Sequence, residues 1–270
     1  MSSSNVTVEV SEQIATITFN SPKTLNAITQ ADYDAFANAL RAVDARDDVL
    51  VTIWQANGRW FSAGASVTDP LIEWSQCSSV RGAFTHIIAA RITDFSNALY
   101  THRKILVVAL NGPVMGIAAA GLGLAEFIYA LPGASLSTPF AFLGLATEGC
   151  CSVTFRSKMG AAKANEVLIW GKKMDAEELL NCGFVNQILP EQTVPDFHAA
   201  VRRLVLERLN NSDPVSLITI KRLIKAGLNE QHNFDAVNLR ESYALAERFA
   251  SGVAVERLQK LARKELKHKL

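Results

Sequence analysis

Two short apolar runs constrain the fold most: "VLVTIWQA" (Val49–Ala56) and "ILVVAL" (Ile105–Leu110). Neither alternates apolar with polar residues, both are rich in β-branched side chains, and each stops at a turn signal, Asn57-Gly58 and Asn111-Gly112-Pro113. Such strands are buried on both faces, as inside a parallel sheet covered by helices. The neighbouring segments agree. Val6–Val10 and Ile14–Phe19 alternate around Ser-Glu-Gln and predict a hairpin. Thr29 suits the N-cap of a helix carrying Tyr33, Phe36, Leu40 and Val43 on one face. Gly116–Ala125 is too small-residued for a surface helix and predicts one pressed against a sheet; Phe127–Leu131 predicts another short strand. From Ala162 onward helical spacing dominates, through Leu204–Leu209, Leu217–Leu223 and Leu245–Phe249, with strand character only at Val185–Leu189. The expected plan is an α/β core over residues 1–195 and a helical region over 196–270.

Charge narrows the function classes. Lys+Arg 27 against Asp+Glu 26 leaves no cationic excess for phosphate backbones, which argues against nucleic acid as a partner. Every apolar stretch is interrupted before it could span a membrane. Cys77, Cys150, Cys151 and Cys182 form no C-x-x-C pair, and no secretory-type apolar run stands near the N-terminus, so a reducing compartment is expected. The final His268-Lys269-Leu270 has the small-or-polar, basic, leucine pattern read by the peroxisomal import receptor; the alternatives are a plain basic helix end and a cytoplasmic location.

Three loops hold the candidate chemistry: "RWFSAGAS" (Arg59–Ser66), "NGPVMGIAAAG" (Asn111–Gly121) and "LGLATEG" (Leu143–Gly149). In parallel α/β sheets, loops at the carboxyl ends of strands meet in the binding crevice. Gly-Ala loops leave backbone N–H groups exposed, and two aimed at one oxygen make an oxyanion hole. The second loop runs into a helix, whose dipole would strengthen its donors. Glu148 is the lone acid of the third loop, either a first-turn helix charge or a general base. Apolar neighbours Phe142, Leu145 and Ala146 would desolvate it and raise its pKa, while a helix at Cys150–Met159 would pull the other way.

Other motifs fail. "GLGLAEF" lacks dinucleotide spacing, no P-loop is present, and Ser62 and Ser66 lack a nucleophile elbow. His86, His102, His198 and His232 stand singly and read as structural, and no cluster suggests a metal.

"FSAGAS", "NGPVMGIAAAG" and "PFAFLGLATEG", in this order, resemble the enoyl-CoA hydratase/isomerase (crotonase) superfamily, closest to the fungal-type peroxisomal Δ3,Δ2-enoyl-CoA isomerases. "ITFNSPKTLNAIT" and the segment ending at Gly183–Asn186 extend the similarity over nearly the whole chain. The resemblance implies a ββα spiral, with two roughly perpendicular sheets flanked by helices. Its helical C-terminal region would complete the CoA pocket and assemble a homotrimer or a dimer of trimers. It implies an acyl-CoA thioester substrate and no separate cofactor. Ala65 and Ile117 match the oxyanion-hole donors and Glu148 the catalytic acid. Leu25, Ala27, Ala63, Gly64, Gly116, Phe140 and Leu145 match substrate-binding positions.

The departures bear on mechanism. The two glutamates with which hydratases of the family handle water fall at Ala120 and Phe140, both apolar. What remains is Glu148, sufficient for a 1,3-proton shuttle from C2 to C4 of a 3-enoyl-CoA. Two alternatives stay open: a one-acid 3-hydroxyacyl-CoA dehydratase or enoyl-CoA hydratase of secondary metabolism, mevalonyl-CoA dehydration for instance, and a non-catalytic acyl-CoA-binding scaffold. Ser66 stands where relatives carry Asp, with Asp69 and Glu73 nearby; Pro70–Val80, including Trp74, is expected to shape the acyl pocket as a lid or a packed loop. Glu126 reads as structural.

Overall fold

The structure, a computed structural model, describes residues 4–266, so His268-Lys269-Leu270 lies outside the described residues. Strands β1 (Val6–Ser11) and β2 (Ile14–Phe19) form the expected hairpin, closed by Glu12 and Gln13 in left-handed conformation. α1 (Gln30–Asp44) starts at Thr29, whose hydroxyl accepts from Asp32 N–H while the Asp32 carboxylate accepts from Thr29 N–H, a reciprocal capping box. β3 (Val51–Ala56) and β4 (Ile105–Leu110) lie parallel at the centre of a six-stranded sheet of order β1-β2-β3-β4-β6-β9, with β6 at Phe127–Ala130 and β9 at Gln187–Ile188.

The sheet is covered on both faces, which explains the unbroken apolar runs of β3 and β4. On one face Trp54 and Phe19 meet Phe36 of α1, Phe61 and Phe95, with Phe36 and Phe95 stacked at 5.1 Å. On the other, Ile14, Ile53 and Val107 pack under Phe197, Val201 and Val205 of α8 (Val194–Leu209). Between β3 and β4 runs one long helical rod: α2 (Val80–Ala83), a π-helical stretch over Phe84–Thr93, then α3 (Asp94–Thr101).

A second sheet, of order β5-β7-β8 (Val114–Met115, Ser135–Ser137, Met174–Asp175), is built from strands too short to leave a sequence pattern, and was not expected at Met174–Asp175. Around it lie α4 (Gly116–Leu122), α5 (Phe140–Leu143) and α6 (Cys151–Leu168), the last broken at Gly160 (φ 76°), between the two helical segments read from the sequence. α7 (Ala176–Asn181) and α8 are followed by the C-terminal helices α9 (Pro214–His232), α10 (Phe234–Ala250) and α11 (Val253–Ala262). Arg248 of α10 donates to the Gly144 carbonyl and Arg257 of α11 to that of Phe142, tying these helices to the loop that carries Glu148.

His102 and Glu126 are structural, as expected. The buried His102 ring bridges Thr52 and Asp44, and Glu126 accepts from Leu106 N–H and Lys221.

Candidate active site

The loops after β3 and β4 are knitted together by backbone bonds. Phe61 N–H donates to Pro113 O (3.0 Å) and Met115 N–H to Ser62 O (2.9 Å). Gly64 (φ 82°) makes the close approach possible, since a Cβ there would stand 3.1 Å from the Met115 carbonyl oxygen. Residues 26–28 bind the other side: Ile28 N–H reaches Gly64 O and Ser66 N–H reaches Ile28 O, at 2.8 and 2.9 Å. That bridge skips the N–H of Ala65. Ile117 lies in the first turn of α4, where an N–H has no acceptor within the helix. Both residues line one cavity of about 140 Å³, so the two N–H groups are candidates for donors to a common oxygen.

Two polar side chains escaped the sequence reading. The Asn26 amide holds the carbonyls of Asn57 and Trp60, at 2.8 and 2.9 Å, and the Ser62 hydroxyl donates to Asn26 O (2.7 Å) while accepting from Gly64 N–H. They fix the shape of the donor loop; both lie in segments that carry the family resemblance, Asn26 in "ITFNSPKTLNAIT" and Ser62 in "FSAGAS", but only tertiary contacts reveal what they hold.

Ala63, Gly64, Gly116, Phe140 and Leu145 line the same cavity with Ala65, Ile117 and Glu148. Leu25 and Ala27 are not among its lining residues: they stand one layer out, where the Leu25 carbonyl accepts from Ala63 N–H and Ala27 borders a separate small depression. Ala120 is also absent from the cavity wall. It is fully buried, and a Cβ on Gly149 would come within 2.8 Å of its own Cβ. The hydratase position here is a packing contact that lets the Glu148–Gly149 turn pass, with φ 67° at Gly149.

Segment 66–80 forms a packed wall. Trp74 stacks on Phe249 of α10 at 6.4 Å, and Val67 and Ile72 pack against the core. Of the two acids near Ser66, Glu73 is exposed and Asp69 is buried in the cavity wall. Asp69 accepts from the N–H groups of Gln30 (2.7 Å) and Leu71 (3.0 Å) and stands 3.8 Å from Arg91.

Glu148 is 6% exposed, and its carboxylate accepts no hydrogen bond from any described residue. Burial, reinforced by the negative charge of Glu241, pushes its pKa from 4.5 up to about 8. The opposing pull expected from the α6 dipole goes elsewhere. The N–H groups of Cys150 and Ser152 at the start of α6 are taken by Glu241 of α10, at 2.7 and 3.0 Å. Glu241 is the helix-end acid and leaves Glu148 free of that role. No sequence signal links Glu241 to residues 91 positions away. Leu143 of α5, Leu245 and Phe249 of α10, and Leu258 and Leu261 of α11 add apolar wall, while Tyr33 and Arg91 line another part of the cavity. A carboxylate near neutrality, beside two free backbone donors in an apolar pocket, is suited to remove a carbon-bound proton next to a carbonyl and return it.

The chain is 38% identical to a Δ(3,5)-Δ(2,4)-dienoyl-CoA isomerase of Pyricularia oryzae, over 98% of each protein. It is 29% identical to the mouse enoyl-CoA delta isomerase 3, peroxisomal, over 99% of this chain and 81% of that one. A crystal structure of an enoyl-CoA hydratase/isomerase from Pseudoalteromonas atlantica superposes with a TM-score of 0.82 at 27% identity, covering 98% of this chain and all of the other. The family model described as enoyl-CoA hydratase/isomerase matches residues 9–260, and the chain is a member of that family, with the crotonase fold.

Proposed function

We propose that this chain is an acyl-CoA isomerase that moves the double bond of a 3-enoyl-CoA to the trans-2 position. Glu148 takes a proton from C2 while the C2–H electron pair moves into the C1–C2 bond and the carbonyl pair moves onto the thioester oxygen. This leaves a dienolate that becomes the 2-enoyl thioester when C4 is protonated. The N–H groups of Ala65 and Ile117 hold the negative charge that develops on the oxygen. The same carboxyl then returns its proton to C4, so no water enters and the base is regenerated. The observation that carries this reading is a single unengaged carboxyl group, Glu148, in a cavity where neither hydratase position supplies an acid: Phe140 lines the wall as an apolar side chain and Ala120 is buried behind it.

The Pyricularia relative bears a dienoyl name. A 3,5-to-2,4 shift delivers its proton to C6, beyond the reach of a carboxyl poised over C2 and C4, and needs a second proton-carrying group. Asp69, the other acid of the wall, already accepts two backbone N–H groups. That favours the shorter 1,3-shuttle.

The decisive experiment incubates the protein with trans-3-hexenoyl-CoA and separates the products by chromatography and mass. Accumulation of trans-2-hexenoyl-CoA, lowered about 10²–10⁴-fold by Glu148→Gln, is the expected result. No turnover, or turnover indifferent to Glu148, refutes it; a product heavier by one water would install the hydratase reading instead. A peroxisomal location, supported by the tail tripeptide and the mouse relative, is read by imaging the full chain with and without its last three residues. Self-association, as a homotrimer or a dimer of trimers, is supported by the exposed apolar Val215, Ile220, Leu223 and Ile224 of α9, and light scattering separates the two from a monomer.

A further inference from the structure

Most of the cavity wall is hydrocarbon, yet one part of it is not. Tyr33 of α1 lines the cavity with its ring edge-on to Phe95 at 5.6 Å. Its hydroxyl is shielded from solvent and forms no hydrogen bond with any described residue. Beside it lies Arg91, on the π-helical stretch, with its side chain 7% exposed. Its Nε donates to Gln30 Oε1, while Nη2 stands 3.8 Å from Asp69 Oδ2, beyond hydrogen-bond reach. The Nη groups of Arg91 thus retain donors with no acceptor among the described residues. Glu148, Arg91, Asp69 and, more weakly, Asp32 are the electrostatic neighbours of the Tyr33 phenol.

An isomerase for plain hydrocarbon chains has no use for this arrangement. A buried hydroxyl left unpaired is costly, and an alkyl chain laid against it would seal in the cost. A chain carrying an oxygen would satisfy it. The charge balance says which kind of oxygen. Asp69 neutralises Arg91, and Glu148 must be ionised in the same cavity to act as a base, so a second carboxylate on the substrate would be repelled by the active form. A hydroxyl or carbonyl would be welcome.

We propose that the Tyr33 hydroxyl and the free Nη groups of Arg91 form a subsite for a neutral oxygen substituent on the acyl chain, beyond the reacting carbons, and that the preferred substrates are hydroxy- or oxo-substituted acyl-CoA thioesters. The inference rests on the acyl-CoA reading above. Gln30 is its scaffold: its side chain accepts from Arg91 and its backbone N–H donates to Asp69, so one residue holds both members of the ion pair in the wall.

The test has a binding arm and a turnover arm. Calorimetry compares hexanoyl-CoA with its 4-, 5- and 6-hydroxy derivatives as saturated, unreactive ligands of the wild-type protein. At least one hydroxylated ligand binds about tenfold tighter or better, because the plain chain leaves the buried donors unpaired. In Tyr33→Phe that preference collapses toward unity. The wild-type comparison stands by itself should the variant fold poorly. In the turnover arm, 3-hexenoyl-CoA and its 6-hydroxy derivative are compared by kcat/KM, and the ratio moves with the same substitution. Equal or weaker binding of all three hydroxylated ligands overturns the subsite. So does a preference that Tyr33→Phe and Arg91→Met leave intact. Hydroxyl-dependent binding without any turnover leaves the subsite standing and removes the isomerase.

Discussion

Glu148→Gln should stabilise the protein at alkaline pH while abolishing its chemistry. The folded chain holds the Glu148 proton up to about pH 8, against 4.5 for an ordinary glutamate. Its folded pKa is raised, so between these values the native state binds a proton that the unfolded state has released. Stability therefore falls as pH rises through this window and levels off above pH 8. The gap of about 3.5 pH units, at about 1.36 kcal/mol each, amounts to roughly 5 kcal/mol of native-state penalty in full, an upper value for a carboxyl so thoroughly buried. Glutamine, of nearly the same shape and never charged, escapes it. Guanidinium unfolding of both proteins at pH 5, 7 and 9 measures the difference. The advantage of the variant should be small at pH 5, grow by about 1.4 kcal/mol per pH unit, and saturate above pH 8. The acid limb of wild-type kcat/KM should have its midpoint near pH 8, since the base must be ionised to act. A stability difference that does not vary with pH, combined with an acid limb near 4.5, would refute the buried-base argument.

Glu241→Gln removes the charge that reinforces burial, so the acid limb should move toward neutrality by less than half of its displacement, burial being the larger cause. The same substitution weakens the acceptors at the start of α6 and should cost about 1–3 kcal/mol in denaturation. Replacing the 116–117 amide by an ester removes the Ile117 N–H without altering a side chain; kcat should fall about 10²–10³-fold with binding of a saturated acyl-CoA kept. Gly149→Ala should lower both stability and activity, because it meets the Ala120 side chain at 2.8 Å in a left-handed backbone conformation; circular dichroism and kcat report the two losses.

The sequence by itself determined the layer architecture. Strands as apolar as Val51–Ala56 and Ile105–Leu110 have no arrangement other than burial on both faces, and Thr29 marks the start of α1. It also marked the candidate donor loops and the candidate acid, because Gly-Ala runs and a lone glutamate are local patterns that survive without contacts. A second sheet was expected through the family resemblance alone; its strands were not legible in local pattern, since strands of two or three residues carry no period. The placement of Leu25 and Ala27 outside the cavity, and the supporting bonds of Asn26 and Ser62, likewise emerged only from the packed loops.

What the tertiary structure alone decided is the electrical state of the site. The sequence left Glu148 between a helix dipole that would ionise it and an apolar loop that would not. Glu241, brought from α10, occupies the α6 N–H groups and adds a like charge, and burial prevails. Tyr33 read in the sequence as a position on the apolar face of α1, and Arg91 carried no signal; only folding sets both in the wall of the same cavity. Local pattern encodes which elements form, whereas a pKa and a substrate's polarity depend on groups that meet from distant parts of the chain.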